Sequence, residues 1–335
     1  RPSAFTLSGP WVDVAAVADL GVAFQFGVRF GADVTLDDLF LRGFHYVYLS
    51  TGAGTGRGLG IPGETASGVV DCLDFLARER DRGATSAPSP LHGARVIVVG
   101  GGNSAMDAAR AARRAVGAHG SVTVVYRRTR AEMPADVDEV VALDREGVPI
   151  QELLQPLRVL TDGGAPERVR ALVCQPMQLG APDASGRRRP VPQDGAEVEL
   201  ACDAVILAVG QRPDTAVFNA SGIETTPSGA LRVAPDSGLT SRARVYAGGD
   251  AVRGGASIIA AAADARRAAE HILAREGAPA HPTAPLPLGK VPAATHLVRR
   301  SQREAPVPPQ STTEPITRRV ETDDSCQEKK AQSAG

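Results

Sequence analysis

The sequence has few cysteines, and their spacing removes several classes of redox protein. Cys72, Cys174, Cys202 and Cys326 lie far apart, and no Cys-x-x-Cys pair occurs. This spacing argues against a disulfide framework, an iron–sulfur cluster or a dithiol redox centre built from these cysteines alone. Scattered thiols of this kind are typical of the reducing cytoplasm, which is the expected location.

A charge excess and a long apolar run are also missing. Lysine plus arginine (37) nearly balances aspartate plus glutamate (38), so no global basic field exists to bind nucleic acid or an anionic membrane. No run reaches the roughly 18 apolar residues of a membrane span. The first twenty residues also lack the basic head and apolar stretch of a signal peptide. With 335 residues, 43% of them hydrophobic, the chain is expected to fold as one large or two modest domains.

Short β-type runs alternate with alanine-rich helical stretches along most of the chain, which predicts an α/β fold with a doubly wound parallel sheet. Strands are predicted at 44–50, 96–99, 122–126, 150–160, 169–179, 198–201, 204–209 and 245–247, and helices at 104–116, 135–146 and 257–275. Residues 83–93 are predicted to be a connection. The Pro-rich stretch 281–335 is predicted to be a disordered tail, because it cannot bury enough apolar surface.

The strongest motif is a glycine turn between a predicted strand and a predicted helix. Gly100, Gly102 and Ala105 form a G-x-G-x-x-A pattern directly after the strand 96–99. The first glycine permits a tight turn, the second lets a pyrophosphate approach the backbone, and the alanine allows close helix packing. This motif predicts dinucleotide binding. The alternative is a glycine turn that serves only the path of the chain.

The end of the next predicted strand indicates which dinucleotide is bound. An NAD site has an acidic residue there, which accepts hydrogen bonds from the ribose hydroxyl. Here the strand 122–126 is followed by Arg127 and Arg128, with Arg130 close behind. Since arginine suits a phosphate, this end favours NADP. A solvated basic loop is the alternative.

Three further strand ends contain glycine. Gly248-Gly249-Asp250 follows the strand 245–247 and places a carboxylate where ligands of open α/β sheets bind, although Gly-Asp pairs also serve as ordinary turns. Thr51-Gly52 and Val209-Gly210 are similar strand ends. This weak internal echo is expected of two related nucleotide-binding units, one inserted into the other.

These motifs resemble one known family. The stretch 96–155, with GGGNSAMDAAR, VVYRRTRAEMPAD and EGV, resembles the pyridine-nucleotide domain of the glutamate synthase small-subunit family. This family of pyridine nucleotide-disulfide-oxidoreductase-like flavoproteins includes the flavoprotein arm of dihydropyrimidine dehydrogenase and selenate-reductase-like subunits. The stretch 204–272, with AVILAVGQRPDT and VYAGGDAVRGGASII, is similar to its C-terminal part. Residues 20–75, with TGAG and LGIPGE, match more loosely.

The resemblance implies an NADPH-dependent flavin oxidoreductase. In that family NADPH passes a hydride to FAD, and electrons leave through iron–sulfur clusters to a partner subunit. The cofactors carry the reactivity, so no catalytic acid, base or metal ligand is assigned. The implied domains are a partial FAD segment (1–76), an inserted NADP-binding domain with a β-meander (77–209), a second FAD segment (210–280) and the tail.

The resemblance also implies the site residues. The pyrophosphate would be held by Gly100, Gly102, Asn103, Ser104 and Ala105, and the 2′-phosphate by Arg127 and Arg128. FAD would lie against Thr51, Gly52, Gly249 and Asp250, with Asp250 on the ribityl chain and the helix from Ser257 pointing at the flavin. Gly210 completes the candidate cofactor-binding residues.

The flavin site is incomplete in this sequence. No G-x-G-x-x-G turn and no cysteine precede Gly52, although the family has both. The sequence is therefore a fragment, a chain completed by another polypeptide, or a protein that has lost FAD, and the non-methionine start favours the first. The alternatives to the main interpretation are a non-catalytic NADP-binding module and a simple Rossmann dehydrogenase, which would need a catalytic set that the sequence does not show.

Overall fold

The computed structural model describes residues 17–83, 89–183, 186–214 and 216–278. Contacts within the chain define one unit, Phe26–Thr283, and a second made of Arg1–Gln25 with Ala284–Gly335. Of the second unit only residues 17–25 are described, and every feature below belongs to the first. The predicted tail (281–335) and the centre of the predicted connection (84–88) lie outside the described residues.

Strands and helices alternate in the first part of the described chain, and a run of seven strands follows between residues 150 and 212. The strands are β1 (Val47–Leu49), β2 (Thr55–Gly56), β3 (Val69–Asp71), β4 (Arg95–Val99), β5 (Ser121–Val125), β6 (Ile150–Gln151), β7 (Leu154–Thr161), β8 (Val169–Pro182), β9 (Arg188–Pro192), β10 (Val198–Ala201), β11 (Ala204–Leu207), β12 (Gln211–Arg212) and β13 (Val245–Ala247). The helices are α1 (Leu36–Leu41), α2 (Cys72–Gly83), α3 (Asn103–Val116), α4 (Val137–Arg145), α5 (Ala216–Ala220), α6 (Asp250–Arg253) and α7 (Ile258–Arg275), with a 3-10 turn at Arg130–Glu132.

A five-stranded sheet in the order β3-β11-β4-β5-β6 forms the centre of the unit, and all its pairings are parallel. Parallel strands covered on both faces are apolar throughout, and the residues of β4 from Val96 to Val99 are all buried. On one face, α3 packs through Ala105, Ala108 and Ala112, which have no exposed surface. These small side chains let the helix approach the sheet closely. The predicted α/β class is confirmed.

The other face of the sheet is covered by an antiparallel meander. Strands β7, β8 and β10 pair in the order β10-β8-β7, and β9 pairs with β8. Leu172 and Cys174 of β8 are fully buried against Ile97, Val99 and Val205 of the parallel sheet. The segment predicted at 169–179 lies in this meander, whereas the segment predicted at 150–160 is divided: Ile150–Gln151 is β6 of the parallel sheet, and only the part from Leu154 onward belongs to the meander.

A smaller pair of strands lies outside the five-stranded sheet. β1 pairs with β13 in parallel, from Val47↔Val245 to Leu49↔Ala247. The strand predicted at 44–50 is wrong at its start, because Phe44 is 55% exposed. There Gly43 (φ +91°) ends α1, and the Phe44 N–H donates back to the Leu39 carbonyl. This helix-ending motif uses the backbone group that a strand would need.

The parallel sheet includes residues on the N-terminal side of the expected domain boundary at 77. β3 pairs with β11 from Val69↔Val205 to Asp71↔Leu207, and α2 follows it directly. The two strand ends of the internal echo, Thr51-Gly52 and Val209-Gly210, lead into strands that pair with each other. β2 follows Gly52, and β12 follows Gly210. The division into domains stays a prediction.

Candidate nucleotide-binding site

A cleft of about 730 Å³ opens at the carboxyl ends of β4, β5 and β11. The chain runs outward from β4 to β5 and β6 on one side, while β11 and β3 lie on the other. Ligands of open α/β sheets bind at such a topological switch point. The cleft is lined by the glycine turn at Gly100–Gly102, by Ser104, by the segment Leu207–Gln211 and by four arginines, Arg57, Arg127, Arg128 and Arg187.

The two glycines of the motif have different surroundings, as their predicted roles require. Gly100 has a φ of +147°, and a Cβ there would lie 2.3 Å from the Ala208 carbonyl oxygen. A Cβ on Gly102 would meet only Pro134 Cγ, at 3.9 Å. The first glycine is therefore required by the turn itself. The second leaves open space beside the backbone, on the side where a pyrophosphate could approach.

Gly101, which the motif leaves undefined, is also constrained. A Cβ at this position would lie 2.5 Å from the ring of Tyr126, the residue directly after β5. The Tyr126 hydroxyl donates to the Glu132 carbonyl at 3.0 Å, which holds the ring against the turn. In the sequence, this contact is indicated by three consecutive glycines after one strand and by an aromatic residue directly after the next strand.

The residues at the start of α3 have different roles: one lines the cleft, and the others pack or anchor the helix. Ser104 lines the cleft, and Ala105 is fully buried under the helix. The Asn103 side chain instead forms a two-way clamp with Asp136, the N-cap residue of α4. Its Nδ2 donates to Asp136 Oδ2, and its Oδ1 accepts the Asp136 N–H, both at 2.8 Å. Only the backbone of Asn103 stays available for the predicted anion contact.

The two arginines predicted to bind the 2′-phosphate have different environments. Arg127 is exposed, lines the cleft and makes no hydrogen bond or ion pair with any residue of the described ranges. Arg128 is only 5% exposed. Its Nη2 lies 2.7 Å from Asp183 Oδ2, and its Nε donates to the Arg188 carbonyl at 2.8 Å. The structure therefore does not present them as a matched pair.

Two lining arginines were missed by the sequence analysis. Arg57 lies in the glycine-rich segment after β1; its N–H donates to the Gly210 carbonyl at 2.9 Å, and its Nε donates to the Gln211 carbonyl. Arg187 lies at the start of the Arg-Arg-Arg run that leads into β9. The run itself is the signal that could have found Arg187. Arg57 has no such signal, because a fold contact brings it to Gly210.

The LGIPGE segment shapes one wall of the cleft through a single carboxylate. Glu64 accepts the backbone N–H groups of Leu59, Gly60 and Ile61, at 2.5, 2.7 and 3.3 Å. Leu59 and Ile61 line the cleft. The motif thus closes a compact loop, and its glutamate satisfies backbone donors that would otherwise need water.

The residues predicted to contact FAD lie together at the carboxyl edge of the β1–β13 pair. Thr51-Gly52 follows β1, Gly249-Asp250 follows β13, and the Gly248 N–H donates to the Leu49 carbonyl at 3.2 Å. Asp250 Oδ1 accepts the Ala256 N–H at 3.1 Å. Ser257 is the N-cap of α7, and its Oγ accepts the Ala260 N–H at 3.2 Å. Gly210 lies in the wall of the nucleotide cleft, which also includes Gly254 and Gly255 from the loop between Asp250 and Ser257.

Asp264 of α7 is a buried support that the sequence analysis missed. It is 4% exposed, its Oδ2 accepts the Gly249 N–H at 2.9 Å, and its Oδ1 pairs with Arg253 and with Arg267. Burial opposes its charge, but the Gly249 hydrogen bond and the two arginines prevail, so the pKa of Asp264 lies below its usual value. The available signal was a carboxylate directly after the alanine run at the start of the helix, Ala260 to Ala263.

Within the described ranges, no helix is long and apolar enough to cross a membrane. No group of three or more histidine, cysteine or acidic side chains in those ranges converges as a metal site. Cys72, Cys174 and Cys202 are free and buried. Burial raises the pKa of each of these thiols to about 12.

These three thiols are expected to resist alkylation in the native protein. At pH 8 a thiol with a pKa of about 12 is ionised in roughly one molecule in ten thousand, and the thiolate is the reactive form. Native protein treated with iodoacetamide at pH 8 should show all three unmodified by peptide mass mapping, whereas protein treated in denaturant should show all three alkylated. Rapid native modification of Cys174 and Cys202 would instead indicate a reactive pair.

The parallel sheet, its switch-point cleft and the glycine turn define a Rossmann-like α/β protein. Over residues 26–268 the chain matches the family model described as pyridine nucleotide-disulphide oxidoreductase, and it belongs to this family. The fold is also shared with a solved structure. FprA from Mycobacterium tuberculosis, solved in complex with NADPH, superposes with a TM-score of 0.63 at 20% identity, over 80% of this chain and 73% of that one.

Two relatives are similar in sequence over most of this chain. The NADP(+)-dependent formate dehydrogenase subunit beta of Moorella thermoacetica is 40% identical over 262 residues, which are 78% of this chain and 36% of that subunit. The glutamate synthase (NADPH) small chain of Halomonas elongata is 36% identical over 77% of this chain and 55% of its own length. The predicted resemblance is confirmed. The chain spans between about a third and just over half of these relatives.

Proposed function

We propose that this chain is the NADPH-binding part of a flavin oxidoreductase, in which hydride passes from NADPH to FAD and electrons continue to a partner subunit with iron–sulfur clusters. The carrying observation is the cleft at the switch point, whose wall contains both the glycine turn, with open space beside Gly102, and four arginines, of which Arg127 is exposed. The names of the relatives, an NADP(+)-dependent subunit and an NADPH-dependent small chain, support the choice of coenzyme. A cytoplasmic location is part of the proposal, and the three free thiols favour it.

The residues of the cleft fit a dinucleotide phosphate. The backbone N–H groups at the start of α3 would donate to the pyrophosphate, where the helix dipole favours negative charge. Arg127, exposed at the end of β5, would pair with the 2′-phosphate. Asp71, which also lines the cleft, accepts the Leu73 N–H at 2.8 Å, so its carboxylate caps α2.

The residues near β1 and β13 fit only one end of a flavin. Gly249 and Asp250 would hold the ribityl side, and the N-terminus of α7 would face the ring. When bound, FAD would accept the hydride. The chain's own contribution is placement, since a reaction between two held groups needs alignment more than proton transfer. No G-x-G-x-x-G turn precedes Gly52 in this sequence, so the ADP half of FAD would need residues from elsewhere.

The proposal is tested by removing the cleft's exposed arginine. Arg127→Ala is expected to raise the Kd for NADPH about tenfold, because a charge-assisted hydrogen bond contributes about 1.5–3 kcal/mol. The Kd for NADH, which lacks the phosphate, should stay unchanged. Isothermal titration calorimetry of both coenzymes measures this. Arg114→Ala, on the exposed face of α3, is the matched control and should bind as the parent chain does.

The possible outcomes separate the proposal from its alternatives. No heat with either coenzyme, or equal losses of NADPH and NADH affinity in Arg127→Ala, would contradict the coenzyme assignment. NADPH binding without any NADPH-dependent dye reduction, even with FAD and a flavin-domain polypeptide added, would favour a non-catalytic NADP-binding module. The observation that favours such a module is that no G-x-G-x-x-G turn for the ADP half of FAD precedes Gly52 in this sequence.

A further inference from the structure

A long hairpin reaches from the meander to the nucleotide cleft. The first half of β8 pairs with β7 and β10, whereas its register with β9 runs from Met177↔Pro192 to Pro182↔Arg188. These last residues extend the strand by about 3.3 Å each. The hairpin tip, defined here as Asp183 with Gly186–Arg188, is closed by the Asp183 N–H donating to the Arg187 carbonyl at 2.7 Å.

The buried arginine at the end of β5 holds this tip in place. The Arg128 guanidinium pairs with Asp183 and donates to the Arg188 carbonyl, so it contacts both strands of the hairpin. Its side chain is 6% exposed and that of Asp183 is 22% exposed. A buried ion pair resists separation once formed. The tip is therefore fixed to the central sheet at the end of β5, where the proposed site binds the 2′-phosphate.

Three consecutive arginines begin at the tip, and their side chains have different environments. Arg187 lines the cleft together with Arg127. Arg188 folds back onto its own hairpin, where its Nη2 donates to the Leu179 carbonyl at 2.9 Å and its Nε to the Gly180 carbonyl at 3.2 Å. Arg189 is exposed and is not part of the cleft wall. Only the first of the three therefore has a place in the coenzyme site.

We propose that the hairpin tip is a second wall of the coenzyme site, in which Arg187 contacts the 2′-phosphate opposite Arg127 and Arg128 is the positioning residue that holds Arg187 there. This inference rests on the proposed function. Selection of NADPH over NADH is then shared between a strand end and a hairpin tip about sixty residues further along the chain. Two planar guanidinium groups on opposite sides match the several oxygens of a phosphate better than one.

The test measures the affinity of the full chain for NADPH and NADH, and for adenosine 2′,5′-bisphosphate and AMP as probes without nicotinamide. Arg187→Ala is expected to weaken NADPH and the bisphosphate about tenfold and to leave NADH and AMP unchanged. Arg189→Ala, on the same hairpin, is the matched control. If Arg187→Ala binds NADPH as Arg189→Ala does, or loses both coenzymes equally, the role of Arg187 is wrong.

The role of Arg128 is tested by coupling. If Arg128 acts through Arg187, the double variant Arg128→Ala/Arg187→Ala should bind NADPH no more than about twofold more weakly than Arg187→Ala alone. Additive losses would overturn the positioning role. Should Arg128→Ala fail to fold, Asp183→Asn loosens the same contact from the hairpin side and should lower the NADPH preference, whereas an unchanged preference would contradict the proposal. A parent chain that binds no NADPH contradicts the proposed function itself, which is a distinct result.

Discussion

Gly102→Ala is expected to lower NADPH affinity roughly 100-fold while the fold is kept. The backbone at this position is extended, with φ −97° and ψ 176°, a conformation that alanine adopts readily. The added Cβ would contact only Pro134, at 3.9 Å. It would instead occupy the space through which, in the proposed site, the pyrophosphate approaches, and losing one or two charge-assisted hydrogen bonds at about 1.5–3 kcal/mol each accounts for the loss. Calorimetric titration gives the affinity, and thermal unfolding reports the fold.

Gly100→Ala is the informative comparison. Its Cβ would lie 2.3 Å from the Ala208 carbonyl oxygen, between the ends of β4 and β11, and its φ of +147° disfavours any side chain. This variant should lose stability first, and binding only as a consequence. If Gly102→Ala binds NADPH normally, or if Gly100→Ala is as stable as the parent, the assignment of the two glycines is wrong.

Asp264→Ala is expected to destabilise the chain by about 2–3 kcal/mol. The change removes the acceptor for the Gly249 N–H and leaves Arg253 and Arg267 without their shared carboxylate. The two arginine side chains are 41% and 39% exposed, so water solvates them in the variant. The cost therefore stays below that of breaking a fully buried pair. For a chain of this size it lowers Tm by roughly 5–10 °C, which calorimetry or circular dichroism measures.

The matched control and the pH dependence sharpen this prediction. Glu270→Ala, on the same helix, removes only a surface pair with Arg266 and should cost less than about 1 kcal/mol. The pKa of Asp264 is lowered in the folded state, so its contribution is complete above the unfolded value of about 3.9 and is lost as the pH falls through the lower folded value. Asp264→Asn should therefore flatten the acid side of the stability curve. An unchanged curve would contradict the ionised role of Asp264.

The sequence was sufficient for features set by nearby residues. The turn at Gly100–Gly102, the helix that follows it and the strand ends all depend on local periodicity and on glycine conformations. The structure places α3 at Asn103–Val116, within a residue of its predicted start. The parallel class followed from the alternation of elements, which is also a local property.

Contacts between distant residues account for what the sequence could not predict. Arg128 resembles a phosphate ligand by position, but its partners Asp183 and Arg188 lie 55 and 60 residues away. Arg57 reaches the cleft through a contact 153 residues along the chain, with Gly210. No periodicity encodes such pairings, because they depend on how the meander and the strand pairs pack on the sheet.

The clamp between Asn103 and Asp136 makes two positions 33 residues apart depend on each other for their hydrogen-bond partners. The Asp136 carboxylate accepts one hydrogen bond from the Asn103 amide nitrogen, and the Asn103 amide oxygen accepts one from the Asp136 N–H. A second carboxylate at 103 would set two negative charges against each other, whereas exchanging the two residues would keep one donor facing one acceptor. A change at one of the two positions therefore removes a partner of the other, and only a matched change at both would keep the clamp.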